Sequence, residues 1–150
     1  MARGDNCVRA GFTLVETLMA VVVASLIMAI GVPRFLGMRD GLKLDGAAYQ
    51  LAGDLRRAQV EAIKGNRTVE LLKTGPSTYS IQSVPTVLVP LLTVFNIRSF
   101  EQGVTFAAGA MTVRMASFGP PIGAPVTFTV GHAGRTKAVT VGANGLVTVQ

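Results

Sequence analysis

Glu16 is the one charged residue between Phe12 and Val32. A carboxylate inside such a run is expensive in hydrocarbon unless a cation meets it. The chemistry it points to is pairing with an amine at similar depth; the alternative is a glutamate near a helix end that reaches lipid headgroups. The other reactive side chains form no constellation. His132 is the only histidine, so no histidine-based metal site is available and a Ser-His-Asp triad would rest on it alone. Beside Gly131, it is expected to sit exposed in a loop. Cys7 is the only cysteine, which rules out an intrachain disulfide and a thiolate metal site. Asp40, Asp45, Asp54, Glu61 and Glu70 mostly fall on helix faces with lysine or arginine nearby. The glycines are dispersed at turns, with no phosphate-cradling loop. Neither an enzyme nor a metal or cofactor site is expected.

The elements that hold these residues follow from patterning. The chain has 150 residues, of which 49% are hydrophobic and only 15% charged. Much of that apolar excess lies in residues 12–32, a stretch long enough as a helix, at roughly 31 Å, to span a bilayer core. Residues 1–11 are short, polar and basic, and no small-residue cleavage site follows the apolar run. Anything removed must therefore be cut before that run, leaving the anchor in place. From Pro33 to about Asn66 the pattern is amphipathic. Leu44, Ala48, Leu51, Leu55, Ala58 and Ala62 make one helix face. Gln50, Asp54, Arg57, Glu61 and Lys64 are placed on the other side, and Gly65-Asn66 reads as a stop. Pro33 with Gly37, Gly41 and Gly46 predicts a kinked or locally melted section.

Beyond Asn66 the chain takes β character, with strands predicted at 68–73, 78–84, 86–95, 104–107, 111–116, 126–130, 137–141 and 146–149. Pro85 and Pro90 demote the third to an edge or a broken strand. Asn144-Gly145 is expected to turn a final hairpin. The fold class is α+β: a long N-terminal helix, half transmembrane and half amphipathic, packed on an antiparallel sheet. Each apolar face covers the other.

The residues around Gly11, G-F-T-L-V-E-T-L, with Pro33 ending the apolar run, closely resemble the type III signal of prepilins and pseudopilins. The resemblance implies cleavage by a membrane aspartyl peptidase between Gly11 and Phe12 and methylation of Phe12. It implies a leader at 1–11, an assembly helix at 12–33 in which Thr13 and Glu16 serve assembly, an amphipathic half at 34–66 and a β domain at 67–150. A glycine at the cut lets a peptidase approach the backbone closely. The amine released on Phe12 of a neighbouring subunit is then the natural partner of Glu16, and the pair would register one helix against the next.

The stretch from Arg56 to Leu71, R-R-A-Q-V-E-A-I-K-G-N-R-T-V-E-L, is similar to the helix end of FimT/GspH-type minor pseudopilins. The implied role is a structural subunit of a type II secretion pseudopilus or a type IV pilus. The implied partners are other pilins, the prepilin peptidase and an inner-membrane assembly platform, with the C-terminal domain in the periplasm. Some members bind DNA through a G-R-x-R motif at the last turn. Here that slot reads Gly145-Leu146-Val147-Thr148, without arginine. Gly134-Arg135-Thr136-Lys137 lies one strand earlier and offers Arg135 and Lys137 to phosphates. The expectation is a turn with solvated charges, and nucleic acid is not an expected partner. The net charge of +6 is scattered, with no basic run longer than Arg56-Arg57.

Overall fold

The computed structural model describes residues 12–85, 94–101, 103–123 and 125–150. The leader, with Cys7 and Gly11, lies outside the described residues, as does most of the strand expected at 86–95. One helix, α1 (Leu14–Lys64), is followed by β1 (Val69–Lys73), β2 (Thr78–Ser83), β3 (Val94–Ser99), β4 (Thr105–Gly109), β5 (Thr112–Met115), β6 (Val126–His132), β7 (Arg135–Val141) and β8 (Val147–Val149). The chain divides into two compact units, Met1–Met38 and Arg39–Gln150.

The first unit is helical from Leu14, and its large apolar side chains, Phe12 to Met38, are exposed. Helix continues through Pro33, Gly37, Gly41 and Gly46, so the local melting expected there is not found. A glycine weakens a helix by only about 1 kcal/mol relative to alanine, too little to break one flanked by good formers.

In the second unit the helix stripe is buried as its spacing demands. Leu44, Ala48, Leu51, Leu55, Ala58 and Ala62 are joined there by Ala47 and Ala52. The helix stops in a hydrogen-bonded cap. Asn66 N–H donates to the Ile63 carbonyl and Arg67 N–H to the Ala62 carbonyl, with Asn66 itself at φ 44°. This is a Schellman arrangement in which asparagine, rather than Gly65, takes the left-handed position.

The strands form two four-stranded antiparallel sheets instead of one, ordered β3-β2-β1-β5 and β4-β6-β7-β8. A single apolar cluster unites the helix stripe with Val69, Leu71, Tyr79 and Ile81 of the first sheet and with Phe106, Phe128, Val130 and Val139 of the second. Phe100 joins the sheets, 5.3 Å from Tyr79 and 4.9 Å from Phe106 between ring centroids. The β6–β7 hairpin turns on two residues, Ala133 and Gly134, both with positive φ (50° and 77°). That pattern follows the natural twist of antiparallel strands. In the last hairpin Gly145 carries the positive φ, 83°, and Asn144 does not. That hairpin docks on α1, where Gln59 Nε2 donates to the Gly145 carbonyl at 2.6 Å and Arg56 Nη2 to the Val147 carbonyl at 3.1 Å.

Candidate functional site

The first turn of α1 begins at Thr13. Its Oγ1 accepts the Glu16 backbone N–H at 3.2 Å, and its carbonyl accepts the N–H groups of Glu16 and Thr17. Thr13 is thus the helix N-cap, three residues before an acidic side chain. The Thr-x-x-Glu spacing was there to be read in the sequence as a helix start. Glu16 is exposed in the first turn, where the helix dipole favours a negative charge. The hydroxyls deeper in the apolar run are satisfied locally. Thr17 donates to the Leu14 carbonyl at 2.9 Å and Ser25 to the Val22 carbonyl at 2.7 Å. In hydrocarbon this matters, because a polar group there has no water to turn to. Among the described residues, α1 is the one helix long and apolar enough to cross a membrane.

Asp54 corrects the helix-face assignment. Expected on the outer side with Arg57 and Glu61, it is instead buried, and Tyr79 Oη donates to its Oδ2 at 2.7 Å. Gln50 Nε2 donates to the same tyrosine oxygen at 3.3 Å, and Arg98 Nε stands 3.7 Å from Asp54 Oδ2. Desolvation by burial, the hydrogen bond to Asp54 and that carboxylate's charge push the Tyr79 hydroxyl pKa upward, so it stays protonated as a donor. Asp54 lies three residues after Leu51 and four before Ala58, at the margin of the buried stripe. Its partner is 25 residues away in sequence, and no local pattern announces it.

His132 is also corrected. It ends β6 rather than sitting free in a loop. Its Nδ1 lies 2.7 Å from the Gly103 carbonyl and its Nε2 3.3 Å from Asp40 Oδ1. Gly103, at φ 88°, lets the ring approach the backbone closely, since a Cβ there would meet the imidazole Cε1 at 2.7 Å. Arg135 and Lys137 belong to β7, just past the turn, with Arg135 exposed and Lys137 half-buried. Lys137 Nζ pairs with Asp45 at 2.8 Å, and that hydrogen bond raises its pKa. The Arg135 guanidinium reaches the helix at Gly41, 3.4 Å from where a Cβ would stand. The two cations offered to phosphates therefore both run to α1. The described residues contain no group of His, Cys, Asp and Glu side chains able to hold a metal ion.

Residues 7–32 match the prokaryotic N-terminal methylation motif. No curated protein sequence matches the chain. Its fold is similar to the type IV minor pilin FimU of Pseudomonas aeruginosa strain PAO1. In one crystal form the TM-score is 0.62 at 14% identity, covering 75% of this chain and 92% of that one. In a second form it is 0.59 at 15% identity, covering 71% and 92%. The minor pseudopilin EpsH from the Type 2 Secretion System of Vibrio cholerae is similar at a TM-score of 0.57 and 15% identity, covering 72% and 96%. This chain therefore carries the prepilin-type N-terminal methylation motif on a fold shared with minor pilins and minor pseudopilins.

Proposed function

We propose that the protein is a minor pilin or pseudopilin, a structural and non-catalytic subunit that assembles with other pilins into a type IV pilus or a type II secretion pseudopilus. One observation carries the reading. An exposed apolar helix, with a single carboxylate in its first turn and the methylation motif across its start, continues in sequence into a helix-on-sheet domain. In this reading a prepilin peptidase cuts between Gly11 and Phe12 and methylates Phe12. Residues 12–33 hold the chain in the inner membrane with the β domain on the periplasmic side, and an assembly platform feeds it into the filament. Thr13 starts the helix, Glu16 meets the amine of a neighbouring Phe12, and Pro33 is the point of flexure.

N-terminal mass spectrometry on protein from its native host tests the first step. A methylated Phe12 supports the reading; an intact Met1, or a cut beyond Ile30, overturns it. Gly11→Val is expected to leave the precursor uncut in the membrane.

A further inference from the structure

The part of α1 in the second unit is held to the sheets by two different kinds of interaction. From Ala47 to Ala62 it is held chiefly by burial, with Ala47, Ala48, Leu51, Ala52, Leu55, Ala58 and Ala62 all nearly inaccessible, and hydrogen bonds of Gln50, Asp54, Arg56 and Gln59 add to it. From Arg39 to Gly46 only Leu44 is buried. The polar attachments there reach β6, β7 and the loop at Glu101, and the Arg135 guanidinium of β7 lies beside Gly41. Lys43 Nζ pairs with Glu101 at 3.7 Å, with the two side chains 20% and 64% exposed. Lys137 pairs with Asp45 at 2.8 Å, 31% and 43% exposed. Asp40 takes the His132 contact.

Ion pairs this open to solvent are individually weak and are screened by salt, whereas buried alanine and leucine contacts are not. We propose that residues 39–46 form an electrostatic strap, a segment of helix that detaches from the sheets when its ion pairs are screened or exchanged while residues 47–62 stay docked. Detachment would free eight residues of helix, about 12 Å at the usual helical rise. A charged surface on a neighbouring molecule that competes for Asp40, Lys43 or Asp45 would act as salt does. The strap rests on contacts within the β-bearing unit and does not depend on filament assembly.

The test uses the full chain in a nonionic detergent. Leu44→Cys and Leu51→Cys are made in a Cys7→Ser background and alkylated at 0.05 and 1 M NaCl, with Tyr49→Cys correcting for intrinsic thiol reactivity. The Leu44→Cys rate should rise about three- to tenfold at high salt, as expected for loss of two or three exposed pairs, while Leu51→Cys changes less than twofold. Neutralising the pairs with Lys43→Met and Lys137→Met should give the high-salt rate at low salt. Trypsin cleavage of the unsubstituted chain gives an independent reading, with cuts after Arg39 and Lys43 accelerating with salt and cuts after Arg56 and Arg57 not. The proposal is overturned if Leu44→Cys is as protected as Leu51→Cys in both salts. It is equally overturned if both sites, or all four tryptic bonds, accelerate together, because that is loosening of the whole domain.

Discussion

Tyr79 and Asp54 carry the most consequential polar contact in the domain, because both are buried and each satisfies the other. Tyr79→Phe removes the donor and leaves a buried carboxylate with Arg98 as its remaining neighbour. The expected loss is about 1–3 kcal/mol, read as a lower urea midpoint. The raised hydroxyl pKa also fixes a pH dependence. A group whose pKa is higher folded than unfolded stabilises fully below its unfolded value, near 10 for tyrosine, and that contribution fades as pH rises beyond it. Stability should therefore fall above about pH 10, and this alkaline limb should be shallower in Tyr79→Phe. In the first unit the informative residue is Glu16. Glu16→Ala should leave cleavage and membrane insertion intact while reducing crosslinking to neighbouring pilins in native membranes. Incorporation at the wild-type level would replace the registry role with that of a headgroup-facing carboxylate.

Among the elements, the β6–β7 hairpin contains a correctable strain. Ala133 sits at φ 50°, where an L side chain other than asparagine or glycine is disfavoured by roughly 1–2 kcal/mol. Ala133→Asn should stabilise the domain by about 0.5–1 kcal/mol, seen as a higher urea midpoint at unchanged slope. The helix was legible because its leucines and alanines repeat at three and four, and seven of the eight predicted strands were legible because turn residues bracket them; the third, expected at 86–95, meets the observed β3 (Val94–Ser99) only at its end, and 86–93 fall outside the described residues. What the pattern could not carry was anything between elements. The split into two sheets depends on pairings such as Val69 with Met115, which span far more chain than any window of periodicity. Asp54 was misassigned for the same reason: a polar residue at the margin of an apolar stripe reads as outward-facing until its tyrosine is known. The methylation motif at residues 7–32 was readable because it is contiguous. The roles of His132, Arg135 and Lys137 were not, because each takes its partner from α1, some ninety residues earlier.

For the whole molecule, the apolar excess resolves into an exposed apolar helix and a domain with its own core. A fragment beginning at Arg39 should be soluble and fold cooperatively, with mixed helix and strand in circular dichroism. An unfolded or irreversibly aggregating fragment would mean that the core needs the anchor segment. The docking of the last hairpin on α1 has a further consequence in time. The contacts from Arg56 to Val147 and from Gln59 to Gly145 join residues 91 and 86 positions apart. At ordinary synthesis rates, about 5–20 residues per second, the helix waits about 4–18 s for that hairpin to be made. Through that interval part of its leucine and alanine stripe has no cover. The growing polypeptide therefore stays partly open to proteases and to wrong partners until its last turn emerges, and any factor that shields it has that window in which to act.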